Sequence, residues 1–412
     1  MKSPFHRART LYAEYPSQFW VLMGALFIDR VGGALLFPFF SLYITAKFGV
    51  GMTEVGVIFG LFSVASIAGG FLGGALTDRL GRKVVLILGL LISAGTSLVM
   101  GLVGSLPLFF AAAVLVGLFA NASGPASQAM VADLLPEEQR TQGFGIWRVI
   151  ANLAVTFGPA IGGLLASYDF LYLFLSDAIL STVTAVILFF SMRETKPQPH
   201  PDETPQTMSQ TFAGYVVPLR DVAFTLFVGA TMLMVTVYMQ MNTTLAVYLR
   251  DVHGTSEQAY GYIISLNAAM VVLFQFPISR WMARFRPMTM MVAGSVLYAV
   301  GFAMYGFVSA YVLFLLAMVV ITTGEMLTAP TGQALAARFA PEDMRGRYLA
   351  IYGFSWGIPA AVGPLLAGLI MDHTDPRWVW YSAGLLGLVA AAAFAGIQRR
   401  DARLAARRRA MA

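Results

Sequence analysis

Twelve runs of apolar residues, each long enough for a helix to cross a bilayer, recur along this chain. About 20 residues of helix span the hydrocarbon core, which is ~30 Å thick. Inside it only helices and closed barrels satisfy the backbone. The runs fall near 19–46, 51–76, 84–103, 107–133, 142–166 and 170–192, then 222–249, 257–279, 288–308, 311–337, 347–371 and 377–398. They are continuous rather than alternating, so they predict helices and not barrel strands. With 58% hydrophobic and 12% charged residues, the chain reads as an all-α polytopic membrane protein. Cysteine is absent, which excludes disulfides and thiolate metal sites. The start, Met1 to Arg9, lacks the short apolar core and cleavage site of a removable signal, so the first span is expected to be retained.

Basic residues set the orientation. With the N-terminus in the cytoplasm, Arg79, Arg82, Lys83, Arg140, Arg193, Lys196, Arg280, Arg284, Arg338 and the tail Arg399 to Arg409 all fall inside. Lys47, Arg250 and Arg377 fall outside. That is the positive-inside pattern, and it predicts both termini in the cytoplasm of a prokaryotic inner membrane. The net charge of +6 follows from this topology and favours anionic membrane lipids. Nucleic acid is not an expected partner, and a monomer is expected.

Residues 193–221 carry five prolines and mixed charges, the composition of a linker. They separate an N-terminal six-helix half (1–192) from a C-terminal one (222–398), which is followed by a basic tail (399–412). The halves repeat at an offset of 205 residues: Gly158-Pro159 returns as Gly363-Pro364, Pro136-Glu137 as Pro341-Glu342, and Pro125 and Gln128 as Pro330 and Gln333. Several pairs in one register mark an internal repeat. Two such halves joined by a cytoplasmic linker suit an alternating-access transporter.

The loop after the second run reads Gly74-Ala75-Leu76-Thr77-Asp78-Arg79-Leu80-Gly81-Arg82-Lys83. Asp78 can pair with Arg82 or cap nearby N–H groups, and Asp133 can take a second arginine, giving a charge cluster that latches one arrangement of the helices. Ordinary positive-inside anchoring is the other use for these bases. The loop resembles the signature loop of the major facilitator superfamily, G-x-L-x-D-R-x-G-R-K/R. The likeness covers all twelve spans and implies the major facilitator fold, with two pseudo-symmetric six-helix halves. The second-half counterpart, Ser279 to Pro287, keeps basic charge but has no aspartate.

In the fifth run, Gly158-Pro159-Ala160-Ile161-Gly162-Gly163 is a helix with a proline kink and glycines for close approach. It resembles the antiporter signature of the twelve-helix drug/proton exchangers, which implies export; a purely structural kink is the alternative. The arginine that those exchangers carry in the fourth helix is replaced here by Ala113.

Five ionisable residues lie well inside the runs, away from their ends: Asp29, Arg30, Arg148, Asp177 and Glu325. A charged side chain at this depth is costly on insertion scales, ~2.5–3.5 kcal/mol, and such groups mark ion and proton paths. Glu325, in Gly324-Glu325-Met326-Leu327-Thr328-Ala329-Pro330, has no opposite charge nearby on its own helix. It is the first candidate for proton coupling, with a static hydrogen bond as the alternative. Its stretch resembles the tenth helix of bacterial multidrug/proton antiporters, which implies a coupling acid that also recognises cationic drugs. Asn242 occupies the position where relatives of that kind can carry a second acid. Asp29 can compensate, and an Asp29–Arg148 pair is expected; Arg148 can instead anchor at the headgroups. Asp177 serves either a cation or proton or wet headgroup territory.

Met234, Tyr238, Gln240, Met241, Asn242 and Asn152 are expected to line the substrate cavity with Glu325. Thioethers adapt to varied shapes, and an acid among aromatic rings suits lipophilic cations. No cofactor, metal or enzymatic activity is expected. The function these features favour is proton-coupled export of hydrophobic or cationic drugs. A sugar or metabolite symporter or uniporter, and a lipid flippase, are the alternatives.

Overall fold

The computed structural model of the protein describes residues 12–120, 123–196, 216–341 and 344–411. Twelve of its helices are long and apolar enough to cross a membrane, and they coincide with the twelve apolar runs. In chain order they are Ser17–Phe48, Met52–Gly70, Arg82–Leu102, Leu106–Leu134, Gln142–Tyr168 and Leu171–Ser191. The second six are Val222–Thr243, Glu257–Met282, Pro287–Phe307, Tyr311–Phe339, Tyr348–His373 and Trp378–Arg400. Among the described residues all regular elements are helical.

Two spans differ from the uninterrupted helices that hydropathy predicts. The first passes through a 3-10 turn at Phe37–Phe39 before resuming as Phe40–Phe48, because Pro38 has no N–H to continue the ladder. The seventh stops at Thr243, and the rest of its run forms a separate helix, Leu245–His253. There the Thr244 hydroxyl turns back to Gln240 Oε1 at 2.6 Å, a local bond that competes with helix geometry. The basic end of the chain is no loose tail in its backbone: the last helix runs from Trp378 to Met411. Of the expected linker, 197–215 lie outside the described residues; Val216–Arg220 forms a short helix, and Asp221 caps the seventh span through Ala223 N and Phe224 N.

The chain divides into two compact units. The first holds Met1–Gly49, Leu61–His200 and Ser256–Ala268; the second holds Val50–Gly60, Pro201–Thr255 and Ala269–Ala412. In the first unit, the first span packs on the fifth and sixth, and the third on the fourth and sixth. In the second, the seventh packs on the eleventh and twelfth, and the ninth on the tenth and twelfth. The repeat seen in the sequence is thus a repeat of packing.

It extends to single side chains. In the first unit Tyr43 donates its hydroxyl to Met100 O at 2.6 Å and packs against Phe109. In the second, Tyr248 donates to Tyr305 O at 2.9 Å, while Tyr305 stacks on Phe314. Tyr248, Tyr305 and Phe314 each lie 205 residues after Tyr43, Met100 and Phe109. Both short helices end on a left-handed glycine, Gly49 and Gly254.

Candidate functional site

In the second unit the half-buried acid of the tenth span has found a partner. Glu325 lies midway along the tenth span, and Tyr238 of the seventh donates its hydroxyl to Glu325 Oε1 at 3.2 Å. The Tyr238 ring meets Tyr298 of the ninth span at 6.1 Å between centroids and the edge of Trp356 of the eleventh at 5.8 Å. Four helices therefore bring three aromatic rings around one carboxyl group. Close approach of the ninth and tenth spans depends on Gly294 and Gly324, where a Cβ on either would stand 2.8 Å from the other's carbonyl oxygen. Trp356 is 38% exposed, so this group of rings has an open side. A cation placed there would meet a carboxylate and aromatic faces together, the two groups that attract it most in a dry setting.

The other expected cavity residues of the seventh span are packed away. Met234, Gln240 and Met241 are 4%, 4% and 2% exposed, so Met234 and Met241 give no open lining and Gln240 almost none. Met234 Sδ accepts a long bond from Ser295, and Gln240 turns its amide to Thr236 O and Thr244. Gln240 does reach the rim of an apolar crevice of about 390 Å³ shared with Gly363, Leu366 and Ser382. Asn242 and Asn152 are half-buried.

The first unit holds a half-buried acid, Asp29, and a buried one, Asp177. Asp29 Oδ1 accepts from Ser181 Oγ at 2.9 Å. Asp177 is 8% exposed and lies against Gly32, where a Cβ would stand 2.9 Å from its Oδ1. Asp29 and Gly32 share one face of the first span, as Asp177 and Ser181 share one face of the sixth, so both acids lie along the same helix contact. The expected pair of Asp29 with Arg148 is not formed. Arg148 is exposed, and a neutral hydroxyl serves Asp29 instead.

The signature loop closes on a residue that sequence reasoning missed. Arg82 Nε pairs with Asp133 Oδ2 at 3.1 Å, whereas the sequence offers Asp78 to Arg82 and Asp133 to a second arginine. Glu194, at the exit of the sixth span, accepts from Arg82 N at 2.8 Å and Lys83 N at 3.1 Å and so caps the third span. Thr195 adds a bond to Asp133, and Lys196 Nζ one to Arg79 O. Gly81 sits at φ +103°, and a Cβ there would meet Glu194, which gives this glycine two reasons to be one. The side chains at Gly74 and Asp78 lie outside the described residues. Glu194 left little trace in the sequence beyond being an isolated acid next to Arg193.

The fifth span carries Pro159 within a continuous helix. Gly158 and Gly162 lie against Ala34 and Leu35 of the first span, and Gly163 against the backbone of Glu257.

Two stretches of the chain, 22–256 and 226–411, match the Major Facilitator Superfamily. The chain belongs to that superfamily. Among superfamily proteins it is 30% identical to the MFS-type transporter YttB of Bacillus subtilis (strain 168), over 92% of this chain and 94% of that one. It is 28% identical to the Na(+), Li(+), K(+)/H(+) antiporter of Planococcus maritimus, over 85% and 87%. To the multidrug resistance protein MdtH of Salmonella paratyphi B (strain ATCC BAA-1250 / SPB7) it is 25% identical, over 88% and 91%. The fold superposes on a peptide transporter POT in complex with sulfate with a TM-score of 0.79, covering 94% of this chain and 96% of that one, at 18% identity. At that identity the likeness shows the facilitator fold alone. This superfamily member is therefore a multi-pass membrane transporter.

Proposed function

We propose that this chain is a proton-coupled exporter of lipophilic, cationic small molecules that works by alternating access, with Glu325 as the coupling acid. The observation that carries this reading is Glu325 held by Tyr238 beside Tyr298 and Trp356, the one acid of a mostly apolar span. Ionised, the carboxylate attracts a cation. Protonated, it loses that attraction and the cation leaves. One group that binds either a proton or a cation gives exchange, because each load displaces the other. Names among the relatives, a cation/proton antiporter and multidrug resistance proteins, support the same class of reaction. The distribution of basic residues supports cytoplasmic termini and a place in a bacterial inner membrane.

Purified protein in vesicles with an imposed pH gradient tests this. A lipophilic cation such as a quaternary ammonium dye should drive proton movement, and the gradient should drive dye accumulation. Indifference of dye transport to the gradient would sink the reading.

A second reading draws on the first unit. Asp29 and Asp177 line one helix contact with Ser181, and hard oxygen ligands suit small alkali cations. Exchange of Na⁺ or K⁺ for protons without any organic cation is the outcome that favours it, and the same vesicles would record it.

A further inference from the structure

The starts of the second and eighth spans are built on one plan with one exchange. In the first unit, Gly261 of the eighth span lies against Pro159 O, and Gly163 against Glu257 O. In the second unit, Gly56 of the second span lies against Pro364 and Leu365, and Gly368 against Met52 O. These contacts are the same pairs displaced by the 205-residue repeat. The caps differ. The eighth span is capped from its own sequence, since Ala259 N donates to Ser256 Oγ at 3.3 Å.

One repeat earlier, Ser256 is replaced by Gly51, which has no side chain to cap with. The N–H groups of Met52 and Thr53 instead donate to the two carboxylate oxygens of Asp372, at 3.0 and 2.7 Å. Asp372 lies in the last turn of the eleventh span. Its counterpart one repeat earlier is Ser167, whose hydroxyl turns to Leu164 O of its own helix. The cap has moved from the helix's own sequence to another helix. A Cβ on Gly51 would stand 2.5 Å from Asp372 Oδ2, so the bare glycine is what admits the carboxylate.

A cap from the same sequence travels with its helix through any motion. A cap from another helix lasts only while the two ends stay together. Free N–H groups at the positive end of a helix hold a carboxylate well. We propose that Asp372 is a latch that fastens the start of the second span to the end of the eleventh, and that its release is a step in opening this end of the transporter. The inference rests on alternating access in a superfamily member and not on what Glu325 carries. Loss of a helix cap shifts an equilibrium by roughly 2- to 30-fold, which sets the size of effect to look for.

The absence of cysteine makes the test clean. Ala361 lies behind the second span, its carbonyl oxygen 3.2 Å from where a Gly60 Cβ would stand. A single cysteine in Ala361→Cys protein, reconstituted without substrate or gradient, reports access through its rate of labelling by a membrane-impermeant maleimide. Asp372→Ala should raise that rate roughly 2- to 30-fold. Gly51→Ala should do the same, because it displaces the carboxylate, and the double variant should exceed neither single by more than the error. Asp251→Ala, which ends an exposed pair with Arg250, should leave the rate unchanged. If Asp372→Ala does not fold, Asp372→Asn, which keeps one acceptor, should give a smaller rise with an unchanged melting temperature. Unchanged labelling in folded Asp372 variants, or additive effects of the Asp372 and Gly51 changes, would overturn the latch.

Discussion

The Tyr238 hydroxyl donates to Glu325 Oε1 at 3.2 Å, and the edge of Trp356 stands against the same tyrosine ring. The phenol meets the carboxylate's charge on one side while the rings shape the space around it. Glu325→Gln keeps the volume and an acceptor for Tyr238 but removes both charge and exchangeable proton. Gradient-driven cation transport should therefore be lost, with the melting temperature little changed. Dye accumulation in vesicles under a pH gradient measures the first and thermal unfolding the second. Transport at the wild-type rate would remove Glu325 from the coupling step.

Tyr238→Phe and Trp356→Ala should separate two contributions to cation binding. The hydroxyl supports the ionised carboxylate, and a hydrogen bond to a charged group is worth about 1.5–3 kcal/mol. Its loss should weaken cation binding at a fixed pH, and raising the pH should restore it. Trp356 offers only a ring face, worth about 0.5–2 kcal/mol to a cation. Its loss should weaken binding equally at every pH. Dissociation constants measured across a pH series distinguish the two patterns; identical profiles would contradict these roles.

The twelve spans are legible in the sequence because each is a continuous apolar run. The break at Pro38 and the stop at Thr243 are not, since hydropathy averages over both. Glu325 and Tyr238 stand out as polar groups in apolar surroundings, but their meeting depends on the packing of the seventh and tenth spans. Met234, Gln240 and Met241 show the limit. In a helix apolar on every side, periodicity does not separate a face toward lipid, core or cavity. Ser181 escapes notice as the partner of Asp29 because a search for an opposite charge passes over a hydroxyl. Glu194 escapes notice for a different reason: an isolated acid beside Arg193 gives no sign that it caps a helix start more than a hundred residues earlier.

Gly81 joins backbone strain to side-chain contact. At φ +103°, with Glu194 where a Cβ would go, Gly81→Ala should cost about 1–3 kcal/mol. It should also free the start of the third span from its cap. Glu194→Gln keeps the shape and removes the charge, so its effect should be smaller. Thermal unfolding of the two variants ranks them, and a neutral Gly81→Ala would mean that the loop adopts another conformation at no cost.

His253 gives the second unit a titratable group where the first unit has Phe48. It lies outside the membrane spans, 3.3 Å from the Tyr248 hydroxyl and with its ring edge-on to Phe314. Burial, and then the nearby Arg377, holds its pKa below the ordinary 6.5; burial pushes the Tyr248 phenol up to about 12. A base with a lowered pKa prefers its neutral form in the folded protein. Above about pH 6.5 both folded and unfolded chains are neutral there, and no stability is lost. As the pH falls through that value the unfolded chain takes the proton first, and stability declines until the folded group is protonated too. One repeat earlier the position is Phe48, which cannot titrate. His253→Phe should therefore flatten the decline in melting temperature between about pH 7 and pH 5, and an equal decline in both proteins would place the acid sensitivity elsewhere.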